Sequence, residues 1–312
     1  MIIHSNQVYT ATGVKPAYLQ VDKGRIQAIL PTHAKVRADV DYGNLRIIPG
    51  IIDTHNHGAV GYRYDEVTEA ELKTCLKGEA AYGVTSIFPT TIILSQYPLL
   101  AKVAREGNDG ARIVGIHAEG PWGSRVGEKG INPGYPSVDM EYAKKMIEVG
   151  CGMLKLVDIA PEVPGALEAI EFFTAQGITV SAYHTNANYE EANRGIDHGI
   201  TVATHLGNVM TGLHHRDVGT MGAAILRDEV YTELICDGLH VCLPMIQLIM
   251  KMKDHEKIMM VSDNGTFLGA PVGHYRGQAK NKGTDREFIE VTPEGFVLSQ
   301  TGRLSGSSKP VL

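Results

Sequence analysis

The chain has 312 residues, of which 43% are hydrophobic and 21% charged, and its formal net charge is -6. These proportions are typical of a globular protein and argue against a disordered, collagen-like or coiled-coil chain. The acidic balance, without a long run of Lys and Arg, argues against nucleic acid or an anionic membrane as a partner.

The N-terminal segment lacks a charged region followed by an apolar stretch, so it does not resemble a secretory signal. The four cysteines are scattered without Cys-x-x-Cys spacing, which suits buried thiols in a reducing compartment. We therefore expect a cytoplasmic protein.

Residues 1–48 contain short alternating strands separated by turn signals, among them a hairpin turn at Lys23-Gly24. This pattern predicts a small β domain over residues 1–48. We expect these strands to form a small β-sandwich appendage.

From residue 49 onward, apolar runs rich in β-branched residues alternate with stretches of helical spacing, which indicates parallel βα units in an α/β protein. A doubly wound open sheet is disfavoured because no Gly-x-Gly-x-x-Gly turn follows the first strand. We therefore predict a (β/α)8 TIM-like barrel over residues 49–312. Its eight strands are predicted at 50–55, 85–90, 113–119, 153–160, 179–184, 201–205, 232–237 and 257–263.

Imidazole and carboxylate side chains stand at the ends of these predicted strands, where such barrels carry their catalytic residues. Alternation along a strand lets the two histidines of the first strand face the same side. Clustered carboxylates and imidazoles in a barrel lumen are costly to bury without a cation, so the pattern predicts a divalent metal. The candidate residues are His55, His57, Glu119, His184, His205 and Asp263.

The residue types restrict the identity of this metal. Imidazole with carboxylate suits zinc, and also iron, manganese or cobalt. The absence of a cysteine ligand argues against a structural zinc site. We favour zinc.

Several motifs resemble a known family. The run from Pro49 to Gly58, with His55-Asn56-His57, resembles the opening signature of the amidohydrolase superfamily. Later motifs resemble the N-acetylglucosamine-6-phosphate deacetylase family, in order along the chain to about Gly269: His117-Ala118-Glu119-Gly120-Pro121, Ala160-Pro161-Glu162, Ala203-Thr204-His205-Leu206-Gly207-Asn208-Val209-Met210, Asp237-Gly238-Leu239-His240 and Ser262-Asp263-Asn264.

This resemblance implies a ligand set and a reaction. It implies that Glu119, His184 and His205 hold one metal ion. His55 and His57, with Glu119 bridging and Asp263 beneath, would hold a second, so one or two ions per chain are expected. The implied reaction removes the acetyl group of N-acetylglucosamine 6-phosphate, with Asp263 taking a proton from water and passing it to the departing amine.

The resemblance also implies substrate contacts. His240 would lie near the acyl group, and Arg216, with its neighbour His215, would contact the phosphate from a segment that crosses a dimer interface. A homodimer is therefore expected. The backbone at Gly207 and the Asn208 side chain would also contact the phosphate.

The sequence departs from the family at several positions. The family usually has His where Asn132 lies, Phe at Gly207 and Ala at Asn264, so Asn132 would alter the substrate wall. An N-acetylgalactosamine-6-phosphate deacetylase, a D-aminoacylase or a deaminase stays open as an alternative.

Family chains continue past the region resembling residues 304–308, so we expect an incomplete small β domain, and an inactive truncated scaffold is a further alternative.

Overall fold

The computed structural model describes residues 1–126, 130–131, 135, 137–277 and 282–311. The chain divides into two compact units, Met1–Gly50 and Ile51–Leu312.

The first unit is a mixed five-stranded sheet. β1 pairs antiparallel with β2, and β2 with β3, while β4 and β5 each pair in parallel with β1. Val8, Ala17 and Leu19 form its buried apolar cluster. The strands are β1 (Ile2–Thr10), β2 (Gly13–Asp22), β3 (Arg25–Leu30), β4 (Val40–Asp41) and β5 (Arg46–Ile47).

The second unit is built on parallel strands in two sheets, β6-β7-β8 and β16-β15-β14-β13-β12-β9. A short antiparallel pair, β10 with β11, follows β9. The strands are β6 (Ile51–Asn56), β7 (Val84–Pro89), β8 (Arg112–Ile113), β9 (Ile116–Trp122), β10 (Arg125–Val126), β11 (Gly130–Ile131), β12 (Leu154–Ile159), β13 (Thr179–Ala182), β14 (Ile200–Ala203), β15 (Tyr231–Ile235) and β16 (Ile258–Val261).

The two parallel sheets are bridged at both margins. Thr90, just after β7, forms a parallel bridge with His117 of β9. Asn56 of β6 forms another with Asn264, just after β16. The α/β class is thus confirmed, and each of the eight predicted parallel strands corresponds to an observed one.

Helices connect most of these strands. The first begins at Thr68, whose side chain accepts from the Glu71 backbone amide while the Glu71 carboxylate accepts from the Thr68 backbone, a capping box. Within the described residues, no helix is long and apolar enough to cross a membrane. The helices are α1 (Glu69–Ala81), α2 (Tyr97–Glu106), α3 (Met140–Gly150), α4 (Ala166–Ala175), α5 (Tyr189–Asp197), α6 (Gly219–Leu226) and α7 (Leu243–Met252), with 3-10 turns at Leu94–Gln96 and His255–Lys257.

An antiparallel four-stranded sheet follows the last parallel strand, in the order β17-β18-β19-β20. It is absent from the sequence-based prediction, because its strands are only four residues long and carry few apolar residues in a row. Ile289, Val291 and Val297 form its buried cluster. The strands are β17 (Gly273–Arg276), β18 (Phe288–Val291), β19 (Phe296–Ser299) and β20 (Leu304–Ser307).

The chain after this sheet returns to the ends of the parallel strands. The Asn264 side-chain amide donates to the Lys309 carbonyl oxygen at 2.7 Å. The Lys309 ammonium donates to the Asp237 carbonyl oxygen at 3.3 Å. Two strand-end loops are therefore tied to the C-terminal segment.

Replacement of Phe173 tests the apolar packing of the second unit. Its ring is fully buried and lies 6.2 Å from the Trp122 ring, centroid to centroid. Phe173→Ala should lower the free energy of unfolding by about 3–5 kcal/mol, because it removes a large buried ring and leaves a cavity. Denaturant unfolding measures the loss, and Phe172→Ala, at the half-buried neighbour, is the matched control. Equal losses in the two variants would contradict this account of the core.

Candidate active site

Three of the predicted site residues occupy equivalent positions, each two residues beyond the end of a parallel strand. His184 follows β13, His205 follows β14 and Asp263 follows β16. Each has a left-handed backbone, with φ of 37°, 33° and 49° respectively. This conformation is uncommon for residues other than glycine and costs about 1–3 kcal/mol. The structure therefore turns sharply at each strand end, where the side chain enters the cluster.

The end of β6 is held against the segment that follows β16. The Asp263 backbone amide donates to the His55 carbonyl oxygen at 3.0 Å, and the His57 amide donates to the Asn264 carbonyl oxygen at 2.7 Å. This pairing extends the parallel arrangement beyond the strands themselves. It brings His55, His57 and Asp263 to one place.

Glu119, in the middle of β9, lies at the centre of the cluster. Its Oε1 is 3.3 Å from His184 Nε2 and 3.2 Å from His205 Nε2. Its Oε2 is 3.2 Å from His57 Nε2. One carboxylate thus contacts imidazoles on both sides.

Asp263 closes the other side of the His55 and His57 pair. Its Oδ1 is 3.5 Å from His55 Nε2 and 3.3 Å from His57 Nε2. The two Nε2 atoms are themselves 3.3 Å apart. Two imidazole nitrogens at this distance need a shared proton or a cation between them and the carboxylates.

The charges of the cluster shift its pKa values strongly. Burial lowers the pKa of His57, but hydrogen bonds to Asp263 and Glu119 outweigh it and raise that pKa to about 10. Burial also lowers the pKa of His205, but the hydrogen bond to Glu119 and the charge of Glu119 outweigh it and raise that pKa to about 9. Burial of His184 prevails instead and lowers its pKa to about 4. In the metal-free chain, protons on imidazoles therefore neutralise the carboxylates.

The donor set fits a divalent metal. Two groups each bring their ligand atoms within 4.8 Å of one another: His55, His57 and Glu119, and Glu119, His184 and His205. Imidazole and carboxylate are the ligands of catalytic zinc and of related transition metals. The predicted metal residues are thus brought together, and Glu119 belongs to both groups.

A second layer of buried polar residues lies behind the candidate ligands. His55 Nδ1 is 3.3 Å from Glu233 Oε2, and the Thr54 hydroxyl donates to Glu233 Oε1 at 2.6 Å. His117 Nε2 is 3.0 Å from Asp158 Oδ1. Glu233 and Asp158 are absent from the sequence-based prediction. The signal for both is an acidic residue flanked by aliphatic residues within a strand.

His240 and Asp237 form a pair in the loop after β15. His240 Nδ1 lies 2.8 Å from Asp237 Oδ2, and the Asp237 Oδ1 accepts from the Leu239 and His240 backbone amides. Burial lowers the pKa of His240, but Asp237 and the charge of Asp263 raise it above its usual value. His240 is thus held by Asp237 within electrostatic reach of the cluster.

The predicted phosphate contacts fall into two sets. Asn208 is buried and its side-chain amide donates to the His205 carbonyl oxygen at 3.2 Å, while Gly207 has a φ of 92° that favours glycine. His215 and Arg216 are exposed and line a cavity of about 550 Å³ with residues of α5 and the loop before α6. Asn132 lies outside the described residues.

Comparisons with known proteins find relatives among deacetylases of amino-sugar phosphates. No model of a known protein family matches the chain. The N-acetylglucosamine-6-phosphate deacetylase of Vibrio furnissii is 32% identical over 306 residues, which cover 95% of this chain and 74% of the relative. The N-acetylgalactosamine-6-phosphate deacetylase of Escherichia coli O157:H7 is 31% identical over 302 residues, which cover 94% of this chain and 76% of the relative.

A solved structure is also similar. It is a mutant of the N-acetyl-D-glucosamine-6-phosphate deacetylase of Mycobacterium smegmatis in complex with N-acetyl-D-glucosamine-6-phosphate. It matches with a TM-score of 0.87 and 29% identity, over 99% of this chain and 80% of that chain.

The fold and the site define a hydrolase of the amidohydrolase superfamily, with imidazole and carboxylate donors at the ends of parallel strands. Within that superfamily the chain belongs to the N-acetylglucosamine-6-phosphate deacetylase family. The resemblance in the sequence motifs is thereby confirmed.

The raised pKa values make metal binding depend on pH. At pH 6.5 to 8.5, His57 and His205, with pKa values of about 10 and 9, are protonated in the metal-free chain, so an ion must displace their protons. Each displaced proton makes the affinity rise about tenfold per pH unit. Zinc affinity, measured by chelator competition, should therefore still increase between pH 7.5 and 8.5. A plateau above pH 7, as for imidazoles with the ordinary pKa of 6.5, would refute these shifts.

Proposed function

We propose that the protein hydrolyses the N-acetyl group of N-acetylglucosamine 6-phosphate, releasing glucosamine 6-phosphate and acetate. The observation that carries this proposal is the convergence of four imidazoles with the two carboxylates of Glu119 and Asp263. The family relationship adds the substrate class, because its relatives at 29–32% identity are deacetylases of amino-sugar phosphates.

Divalent metal, with zinc favoured over iron, manganese or cobalt, completes the site. Glu119, His184 and His205 would hold one ion, and His55 and His57, with Glu119 shared, a second. Such an ion lowers the pKa of a water molecule and polarises an amide carbonyl, which is the activation that an N-acyl bond requires.

Asp263 is the proton carrier of this reaction. Its carboxylate lies beside His55 and His57, and its contacts with these imidazoles keep its pKa low despite burial. An ionised carboxylate there accepts a proton from the attacking water and later delivers it to the departing amine.

Other residues bind and orient the substrate. His240, held by Asp237, would contact the acyl group. Asn208 and the backbone at Gly207, together with Arg216 and His215, would surround the phosphate, where the guanidinium fork suits phosphate oxygens. Asn132 would form part of the sugar wall.

The architecture proposed with this function is a closed barrel. The bridges Asn56 to Asn264 and Thr90 to His117 support an eight-stranded (β/α)8 ring over residues 49–312. Residues 1–48 would belong to a small β-sandwich appendage. The exposure of Arg216 supports a homodimer in which this segment reaches a partner's site, and the free cysteines suit the cytoplasm.

The N-acetylgalactosamine 6-phosphate isomer is a second candidate substrate. A relative that is 31% identical carries that name, close to the identity of the glucosamine enzymes. The two sugars differ at one hydroxyl, and the positions at which the chain departs from the family, Asn132, Gly207 and Asn264, are not among the proposed metal ligands.

Acetate release tests the reaction directly. Purified protein, with its metal content measured, is assayed on N-acetylglucosamine 6-phosphate, its galactosamine isomer and unphosphorylated N-acetylglucosamine. We expect release from one of the phosphorylated sugars, and a loss of about 10²–10⁴-fold in Asp263→Asn without loss of the ion at His184 and His205. Asp197→Asn, on the exposed surface, is the matched control. No release from any sugar by metal-loaded protein would refute the proposed activity.

Arg216 should separate phosphorylated from unphosphorylated substrates. Arg216→Ala should raise KM for the phosphorylated sugar by about tenfold or more, since a charge-assisted hydrogen bond contributes about 1.5–3 kcal/mol. Slow turnover of N-acetylglucosamine itself should be unchanged. The matched control is Arg194→Ala, at an exposed position of α5. Equal losses on both sugars would show that Arg216 does not bind the phosphate.

A further inference from the structure

Glu233 is a carboxylate in the middle of β15 that the proposed reaction leaves without a role. Its side chain is fully buried. An isolated buried carboxylate is costly, and an apolar residue in the same strand would be cheaper to bury. What Glu233 contacts therefore indicates why a charge stands there.

The two oxygens of Glu233 have different neighbours. Oε1 accepts a hydrogen bond of 2.6 Å from the Thr54 hydroxyl, and Oε2 lies 3.3 Å from His55 Nδ1. Thr54 and His55 are adjacent in β6, so β6 and β15 are linked at this point. Both oxygens of the carboxylate are therefore held in place.

This contact selects the tautomer of His55. An ionised carboxylate only accepts hydrogen bonds, so the proton of the neutral ring must sit on Nδ1. The lone pair is then on Nε2, the atom that faces His57, Glu119 and Asp263. A ring with its proton on Nε2 could not act as a ligand from that side.

We propose that Glu233 is a positioning residue that holds His55 in the Nδ1-protonated tautomer and so creates the ligand group of His55 and His57. This inference rests on the proposed metal-dependent function. Partners of this kind orient imidazole ligands and raise their basicity, and their loss weakens metal binding about 10–100-fold.

Glu233 could instead be a ligand itself, because His55, His117 and Glu233 also bring donor atoms within 4.8 Å of one another. The geometry argues against a metal there. His117 Nδ1 contacts the Thr54 carbonyl oxygen at 2.9 Å, which requires the ring proton on that nitrogen. Only Nε2 could then bind a metal, and it lies 3.0 Å from Asp158 Oδ1, whose carboxylate would be its nearest anionic partner.

The effect should be confined to one of the two ligand groups. Glu233 contacts His55, whereas His184 and His205 meet the cluster through Glu119. In Glu233→Gln the side chain is a neutral amide. If its N–H group points to His55 Nδ1, it favours the tautomer with the proton on Nε2. If its oxygen points to Nδ1, it accepts a weaker hydrogen bond because it carries no charge. The ion at His55 and His57 should therefore bind more weakly, and the other ion should not.

Zinc titration of metal-free protein with a competing chelator dye tests this at pH 7.5, with elemental analysis to count ions. Wild type should bind two ions per chain, and Glu233→Gln should bind one of them about 10–100-fold more weakly, with the other changed less than about twofold. The matched control is Glu171→Gln, because the exposed Glu171 Oε1 contacts His198 Nδ1 at 2.8 Å. It removes the same kind of contact far from any ligand and should leave both affinities unchanged.

One ion in wild type, or two unchanged affinities in folded Glu233→Gln, overturns the proposal. Circular dichroism and thermal unfolding establish the fold of each variant.

If Glu233→Gln does not fold, Thr54→Val tests the proposal instead, because it removes the hydroxyl that donates to Glu233 and keeps the side-chain volume. It should weaken the same ion by a smaller factor, and equality with wild type would overturn the proposal. Failure of acetate release with both ions bound would instead concern the proposed activity.

Discussion

The crowding of imidazoles against a single carboxylate is the constraint on which the rest of this structure depends. Glu119 contacts three histidines from three different strands, and a fourth lies 3.8 Å from it. The imidazoles repel one another when they are charged and unpaired, so flexible loops could not hold them this close together. Short parallel strands with hydrogen-bonded margins hold it, and three left-handed residues, His184, His205 and Asp263, add local strain that the apolar core must offset.

Behind these ligands the strands carry a polar interior that links them laterally. Thr54 donates its hydroxyl to Glu233 while its carbonyl oxygen contacts His117, which is paired with Asp158. Contacts thus pass between β15, β6, β9 and β12 at one level of the strands. A movement of one strand end would disturb several of these contacts together, because buried polar groups lose much when they lose a partner. The polar layer therefore stabilises the relative positions of the candidate ligands.

The features that the sequence predicts are those set by local periodicity. Strand alternation brings His55 and His57 to one side, and the residues at the ends of later strands meet them, as the structure shows. The pairing of Glu233 with His55 joins residues 178 positions apart. It depends on which strands become neighbours, and the periodicity of the sequence does not predict that. The strands β17–β20 are not predicted for a different reason, because four residues are too few to show the alternation that indicates a strand.

The reaction and the substrate contacts proposed for this protein draw on different kinds of structure. The proposed metal ligands lie in or just beyond parallel strands, whereas His215 and Arg216, the proposed phosphate contacts, lie in an exposed segment before α6. Loops tolerate changes that strand ends carrying buried ligands do not. A family built in this way can keep its hydrolytic centre while the sugar wall and phosphate contacts diverge. Relatives named for two isomeric sugars stand at nearly equal identity to this chain, at 32% and 31%, as such a separation would allow.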